Sequence, residues 1–240
     1  MLTTLRSSLF LLGQVVITVA FALLLPLALL LPYRWRYTVL IQWGRAILLW
    51  LRLTCGIRHV VEGLDRIPAD NAIILANHQS AWETLMLPLL FRPQSWLLKR
   101  ELLRIPLFGW GLALMRPIAI DRSAGRKAMR QLLTQGQQRL EQGCWVVIFP
   151  QGTRVAPGEH KPYAVGGALL AERSGYPVVP VAHNAGYCWG RHAFHKHPGT
   201  IRLVIGEPID TTGLDAQAIN QRVAAWIEAE QVRIGDPRAG

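Results

Sequence analysis

Cysteines and acidic residues are scarce in this sequence. Its 240 residues contain three cysteines, Cys55, Cys144 and Cys188, which lie far apart and form no recognisable motif. This usage indicates a reduced, cytoplasm-facing protein and argues against a zinc site or a disulfide framework. Asp and Glu number 15 against 26 Lys and Arg, so the formal net charge is +11. A chain this basic is typical of proteins that bind nucleic acid or an anionic membrane surface.

Several familiar catalytic motifs are also missing. The sequence has no G-x-S-x-G, no Walker phosphate loop and no G-x-G-x-x-G, which weighs against a serine hydrolase, a nucleoside triphosphatase and a Rossmann-type dehydrogenase. Three histidines occur together in "HAFHKHP", residues 192–198, but no cysteine or carboxylate accompanies them. Their spacing fits no standard metal site, so we predict no bound metal and no cofactor.

Charge is absent from a long N-terminal run. Between Arg6 and Arg34 lie 27 uncharged residues, more than the roughly 18 that make a candidate membrane-spanning helix. A signal peptide would have a shorter apolar core and a small-residue cleavage site, and no such site follows this run. We therefore predict a membrane-bound protein whose basic surface meets lipid, with no nucleic-acid partner.

A second apolar stretch follows at residues 37–53, interrupted by two arginines. Two arrangements remain open: one spanning helix followed by an amphipathic helix, or a helical hairpin that dips into one leaflet. Basic residues flank the first run on both sides, so the positive-inside rule gives no orientation. Residues 1–53 are predicted to be membrane-binding helices in either case, with Trp35, Trp43 and Trp50 at the membrane interface.

Residues 54–240 alternate between short apolar runs and helical segments. This pattern is typical of an α/β domain with a mostly parallel central sheet flanked by helices. The predicted strands are 58–62, 72–76, 95–98, 117–120, 145–149, 178–182 and 201–205. The predicted helices are 80–90, 123–141, 163–173 and 215–231, with Ser123 as N-cap of the second and Gly143 just past its end.

Polar clusters follow four of the predicted strands, namely "NHQSAWET", "DRS", "PQGTR" and "HNAG". In open α/β sheets the active site lies at the C-terminal ends of the strands. We therefore expect His78, Arg122 and Arg154 to meet at one edge of the sheet.

His78 and Glu83 admit two interpretations. On one regular helix, residues five apart point about 140° away from each other. A turn from strand to helix would instead bring them together, with His78 as a general base and Glu83 behind its ring. Alternatively, Ser80 and Glu83 form a capping box that starts a helix. The two roles are compatible, because a carboxylate has two oxygens.

Three further segments are candidates for binding an anion. In "IFPQGTR", residues 148–154, a turn at Gly152 with Thr153 and Arg154 suits a phosphate, which backbone amides and a guanidinium would hold. Arg122 after "IAID" and Lys99 in "LLKREL" offer further cations. Each of these segments is also readable as an ordinary strand exit or a solvated basic surface.

Together and in this order, the motifs resemble those of the membrane-associated glycerolipid acyltransferase family, most closely its bacterial 1-acylglycerol-3-phosphate acyltransferases. That family has four motifs in order: N-H-x-x-x-x-D, an Arg at the end of a strand, F-P-E-G-T-R, and an apolar V-P-V strand. The first two are matched here by Asn77-His78 with Glu83 and by Arg122. The last two are matched by residues 149–154 and by residues 179–181. The resemblance spans most of the chain.

The resemblance implies a reaction and a set of roles. A fatty acyl group would pass from a thioester, acyl-CoA or acyl carrier protein, to the sn-2 hydroxyl of lysophosphatidic acid, giving phosphatidic acid for phospholipid synthesis. His78 would act as the base and Glu83 would stabilise its imidazolium. The residues implied to bind the lysophospholipid are Lys99, Arg122, Gln151, Gly152, Thr153 and Arg154. Membrane lipids are the other expected partner, and the catalytic domain is expected to face the cytoplasm from a bacterial inner membrane.

Two positions depart from the family pattern. Glu83 stands where the family has Asp, which keeps the charge and lengthens the side chain by one methylene, so we expect function to survive. Gln151 stands where the family has Glu and removes a charge. If that carboxylate tunes an arginine or binds the acceptor's glycerol, another acceptor such as a lyso-ornithine lipid becomes an alternative, as does a non-catalytic lipid-binding relative.

Overall fold

Two long helices form a hairpin at the N-terminus. The computed structural model describes residues 1–238, with the side chain of Arg122 outside that description. Helix α1 runs Leu2–Leu29 and helix α2 runs Tyr33–Cys55. Two hydrogen bonds show that the helices are antiparallel. Trp43 Nε1 donates to Thr18 Oγ1 at 3.1 Å, and Trp50, later in α2, donates through Nε1 to the carbonyl of Leu9, earlier in α1, at 3.2 Å. Of the three tryptophans predicted at a membrane interface, only Trp35 has an exposed side chain.

The outer surface of α1 is apolar and exposed. By length and composition alone, the helix could cross a membrane. Its N-terminal part nevertheless contacts the rest of the protein: Thr4 Oγ1 lies 3.2 Å from His195 Nε2, and Ser7 Oγ accepts a hydrogen bond from the Lys196 N–H at 3.0 Å. Its C-terminal half contributes Leu25 and its neighbours to the wall of a cavity that residues of the following α/β part of the chain also line. Helix α1 therefore lies alongside the α/β body.

The body is built on a sheet that has seven strands within residues 1–238. The strands are β1 Ile57–Glu62, β2 Ile73–Ala76, β3 Gln94–Lys99, β4 Ile118–Ile120, β5 Trp145–Ile148, β6 Val178–His183 and β7 Gly199–Ile205. Their order is β1-β7-β6-β2-β5-β3-β4, and every neighbouring pair is parallel except β6 and β7. The predicted α/β fold with a mostly parallel sheet is confirmed, and each predicted strand lies within two residues of an observed one.

Helices cover both faces of this sheet. They are α3 Trp82–Leu90, α4 Phe108–Leu114, α5 Arg126–Glu141, α6 Gly166–Ser174, α7 Ala185–Cys188 and α8 Ala216–Ile234, with 3₁₀ turns at Leu64–Arg66, Arg100–Arg104 and Arg122–Ala124. Successive residues of a strand point to opposite faces. On β2, Ile74 therefore packs in one buried cluster with residues of α2 and α3, and Ile73 packs in another with residues of α5, α6 and α8.

The inner face of α2 belongs to the core of the body. Tyr37, Ile41 and Leu51 are buried in the same cluster as Ile74 of β2. Helix α2 extends to Cys55, two residues past the predicted end of the membrane-binding region. The division into 1–53 and 54–240 stays a prediction, and residues 239–240 lie outside the described part of the chain.

Several details of the predicted helices are wrong, and the observed ends of α6 and α8 also differ from the predicted ones by up to three residues. Helix α5 begins at Arg126 rather than 123, and Ser123 does not cap it: Ser123 lies in the preceding 3₁₀ turn, where its N–H donates to Asp121 Oδ1 at 3.0 Å. Helices α4 and α7 are not in the prediction. The seven residues of α4 are too few for a clear helical period and include two glycines, and α7 has only four residues. Gly143 does follow the end of α5, with a left-handed φ of 75°.

Candidate active site

The residues singled out by the motifs lie at the edge of the sheet where β2, β3, β5 and β6 end. These four strands are mutually parallel, so their C-terminal ends fall at one edge. A cavity of about 480 Å³ opens there, between the body and the helical hairpin. Its wall includes five of the predicted site residues: His78, Lys99, Gly152, Thr153 and Arg154.

His78 and Glu83 form a short hydrogen bond. His78 lies in the turn between β2 and α3, and its Nδ1 is 2.7 Å from Glu83 Oε1. The Glu83 side chain is fully buried, whereas 16% of the His78 side chain is exposed. With Nδ1 donating to the carboxylate, Nε2 carries the lone pair that can accept a proton. The turn thus brings together the two groups that a single helix would separate.

The same turn also starts helix α3. Ser80 Oγ accepts a hydrogen bond from the Trp82 N–H at 3.1 Å, and Glu83 Oε1 accepts from the Ser80 N–H at 2.8 Å and the Gln79 N–H at 2.9 Å. The predicted capping box with Ser80 as N-cap is therefore wrong in detail: the N-cap is Ala81, whose side chain makes no cap bond, and Ser80 binds the N–H of Trp82 rather than that of Glu83. The cap and the His78 contact share one carboxylate oxygen, so the two interpretations of Glu83 describe one arrangement.

Glu83 is held as a carboxylate. Burial acts to raise its pKa, but the imidazoles of His183 and His78 and the Ser80 N–H outweigh burial and lower the pKa to about 2. Its second oxygen, Oε2, is buried and has no hydrogen-bond partner among residues 1–238. A buried negative charge placed behind an imidazole favours protonation of that imidazole when a substrate proton arrives.

The segment after β5 fixes the backbone of His78. Gln151 Oε1 accepts a hydrogen bond from the His78 N–H at 2.7 Å, and the Val155 N–H donates to the His78 carbonyl at 2.8 Å. The Phe149 ring stacks on the imidazole with centroids 4.2 Å apart. Gln151 is buried and is not among the described residues that line the cavity. Gln151 was predicted to bind the lysophospholipid, but in this geometry its side chain does not reach the cavity wall. Its hydrogen bond to the His78 N–H indicates that it supports the backbone of His78 instead.

Cations gather along the cavity wall. Arg154 is half-buried, and Lys99 is exposed. The structure adds two residues that sequence reasoning missed, Arg191 and His192, both in the cavity wall. Arg191 Nη1 lies 3.4 Å from the Arg154 carbonyl oxygen and donates to it. Arg191 follows β6 and the short helix α7, so its place at the C-terminal edge of the sheet was the available signal.

Arg122 is placed only in part. Its backbone begins the 3₁₀ turn that follows β4 after one intervening residue, at the same edge of the sheet, and its side chain lies outside the description. Within residues 1–238, no group of three or more His, Cys, Asp and Glu side chains is arranged to hold a metal ion. The histidines of residues 192–198 are separated by other contacts, with His192 at the cavity and His195 against Thr4.

Comparison with known proteins places the chain among enzymes of one family. The family profile described as Acyltransferase matches residues 58–184. A 1-acyl-sn-glycerol-3-phosphate acyltransferase of Pseudomonas aeruginosa is 46% identical over 209 residues, which is 85% of this chain and 81% of that protein. One from Bacillus subtilis is 29% identical over 188 residues, 77% of this chain and 89% of that protein.

A solved structure shares the fold. The crystal structure of the 1-acyl-sn-glycerophosphate acyltransferase PlsC from Thermotoga maritima matches with a TM-score of 0.80 and 23% sequence identity. The match covers 97% of this chain and 95% of that one.

Proposed function

The chain belongs to the acyltransferase family, and we propose that it transfers a fatty acyl group from an acyl thioester to the sn-2 hydroxyl of 1-acylglycerol-3-phosphate, yielding phosphatidic acid. The observation that carries this proposal is the 2.7 Å contact of His78 Nδ1 with the buried Glu83 carboxylate beside a cavity of about 480 Å³. The names of the Pseudomonas and Bacillus relatives support the choice of acceptor.

In the proposed reaction His78 acts as general base and then as general acid. Nε2 takes the proton of the acceptor hydroxyl while that oxygen attacks the thioester carbonyl carbon. The carbon–sulfur bond then breaks, and the imidazolium returns the proton to the departing thiolate, so the ester and a free thiol are the products. Glu83 stabilises the imidazolium between these steps. General acid–base assistance of this kind contributes about 10²- to 10⁴-fold.

The cations of the cavity wall would hold the phosphate of the acceptor. Arg154, Arg191 and Lys99 come from three separate segments that border the same cavity as His78. Arginine can bind a phosphate through two parallel hydrogen bonds, which orients it as well as holding it. Arg122 and the Gly152–Thr153 turn remain predicted contributors. A phosphate fixed in this way would keep the sn-2 hydroxyl within reach of Nε2.

Apolar side chains from the hairpin and from the body line the remainder of the cavity and suit an acyl chain. The wall includes Phe21 and Leu25 of α1, Leu40 and Trp43 of α2, and Leu85 of α3. Since acyl-CoA and acyl carrier protein share the same thioester group, we propose either as donor. A wall of this kind also excludes water, which protects the thioester from hydrolysis.

We further propose that the hairpin binds the cytoplasmic face of a bacterial inner membrane without crossing it. The support is that the N-terminal part of α1 contacts the body through Thr4 and Ser7, while its outer face is apolar and exposed. Exposed Ile105 and Trp110 near α4 extend this apolar surface, and exposed Arg100 and Arg104 accompany them. Each Lys or Arg near an anionic leaflet contributes about 1 kcal/mol.

Purified protein assayed with a panel of lysolipids tests the function. The two donors, acyl-CoA and acylated acyl carrier protein, each carry a labelled acyl group and are supplied in turn. The acceptors are lysophosphatidic acid and a lyso-ornithine lipid. We expect phosphatidic acid from the first acceptor, and a fall of kcat by at least about 10²-fold in His78→Ala. The matched control is His160→Ala, because that histidine is exposed at the surface. Three outcomes would contradict the proposal. They are acylation of the lyso-ornithine lipid but not of lysophosphatidic acid, release of free fatty acid as the sole product, and unchanged activity in His78→Ala.

A further inference from the structure

The two residues on either side of His78 have buried amide side chains for which the proposed reaction has no use. Asn77 is fully buried, and Gln79 is 4% exposed. A buried amide without hydrogen-bond partners costs about 1–3 kcal/mol. The partners of these two amides therefore show what holds the turn in place.

Asn77 joins the end of β2 to the end of β6. Its Oδ1 accepts a hydrogen bond from the His183 N–H at 2.9 Å, and its Nδ2 donates to the His183 carbonyl at 2.9 Å. The ring of His183 completes this junction, because its Nε2 lies 2.9 Å from the Asn77 carbonyl and its Nδ1 accepts from the Ala185 N–H at 3.3 Å. These contacts fix His183 as the tautomer protonated on Nε2.

Gln79 makes the corresponding connection on the other side of His78. Its Oε1 accepts a hydrogen bond from the Gly186 N–H at 3.1 Å, at the start of α7. Its Nε2 donates to Gln231 Oε1 at 2.9 Å, and the Nδ2 of Asn77 donates to that same oxygen at 3.1 Å. One acceptor atom in the last turns of α8 thus binds both neighbours of His78.

We infer that Gln231 is a positioning residue, which sets the location of the His78 ring by holding the turn from both sides. The carbonyl and N–H of His78 are anchored by Val155 and Gln151, and the Asn77 and Gln79 side chains bind separately to His183 and Gly186. Gln231 Oε1 is the atom that ties these two flanking amides to each other. Gln231 lies on α8, 152 residues from Gln79 in sequence, so its contact ties the turn to a distant helix. The inference rests on the proposed function, because it assigns Gln231 a role in placing the base of that reaction.

Removing the acceptor oxygen tests this role. In Gln231→Leu the side chain keeps a similar size but accepts no hydrogen bond, and we expect kcat to fall about 10- to 100-fold, since a displacement of about 1 Å at a catalytic group has effects of this order. KM for the acceptor should stay within about twofold, because Gln231 does not line the cavity. Gln231→Glu keeps an acceptor oxygen and should restore kcat to within about threefold of the wild type.

The matched control is Gln221→Leu, the same substitution at an exposed position of α8, which should leave kcat and KM unchanged. The melting temperature of each variant shows whether it is folded. If Gln231→Leu does not fold, Gln231→Ala removes the same acceptor without adding apolar bulk. If Gln231→Leu and Gln231→Ala both fail to fold while Gln231→Glu folds, the acceptor oxygen at position 231 is needed for the fold alone. That result would overturn the inference. Folded Gln231→Leu with wild-type kcat overturns it too.

A spectroscopic measurement separates this inference from the proposed function. The Nδ1 proton of His78, donated to Glu83, should give a low-field signal in the proton NMR spectrum of the protein in detergent, assigned by its loss in His78→Ala. Gln231→Leu should broaden or shift that signal and Gln221→Leu should not. If the wild type fails to acylate lysophosphatidic acid, the proposed function fails while this signal still tests the position of His78. An unchanged signal in folded Gln231→Leu contradicts the positioning role.

Discussion

The turn that carries His78 and the cation-bearing wall of the cavity differ in how firmly they are held. Around His78, the side chains of Asn77, Gln79 and Glu83 are buried. Those of Asn77 and Gln79 bind to β6, α7 and α8, and that of Glu83 binds within the turn itself. On the cavity wall, Lys99 and Arg191 are exposed. A base must be placed to within about an ångström, whereas a phosphate can be held by several long side chains that share its charge. Substitutions in the turn should therefore act on kcat, and those on the wall should act on KM.

The largest effect is expected from Glu83→Gln. The amide keeps the size of the side chain and an oxygen for the Ser80 N–H, but it removes the negative charge that we propose stabilises the imidazolium of His78. We expect kcat to fall about 10²- to 10⁴-fold with little change in KM. Steady-state assays with lysophosphatidic acid measure both constants. Glu141→Gln, at an exposed position on α5, is the control. A kcat that stays within threefold of the wild type would remove the contrast between the two regions.

A smaller effect, on KM rather than on kcat, is expected from Arg154→Ala. A hydrogen bond to a charged group contributes about 1.5–3 kcal/mol, so kcat/KM for lysophosphatidic acid should fall about 10- to 100-fold. Most of the loss should appear as a higher KM, because in the proposed site Lys99 and Arg191 would still attract the phosphate. Arg173→Ala, on the surface of α6, serves as the control. A fall in kcat at unchanged KM would instead place Arg154 with the residues that act in the reaction itself.

The smallest effect is expected from Gln151→Glu, which restores the residue found in the family motif. Either side chain offers an oxygen to the His78 N–H, so kcat should stay within about threefold of the wild type. The preference for lysophosphatidic acid over a lyso-ornithine lipid should not change, because Gln151 is buried beside His78 and is not part of the described cavity wall. Competition between the two acceptors in one reaction measures this preference, and its reversal would show that position 151 selects the acceptor.

Sequence reasoning located the strands well and the side-chain contacts poorly. Apolar runs such as residues 145–148 mark buried strands directly, because both faces of a parallel sheet are covered. The turn at His78 was predictable from the order of strand, polar cluster and helix. Gln231 was not, since its contact with Gln79 depends on where α8 ends against the sheet edge. Arg191 was hidden in the same way, because it follows the short helix α7 that no periodicity indicates.

The sharing of α2 between the hairpin and the core of the body has a practical consequence. Tyr37, Ile41 and Leu51 fill the space beneath the sheet, so a shortened protein that starts after Cys55 would expose that face of the sheet to water. Such a fragment is expected to aggregate, and expression trials should retain the whole hairpin and extract the protein with detergent. The same packing predicts that proteolytic removal of the hairpin would also abolish activity, because the cut would take part of the core away with it.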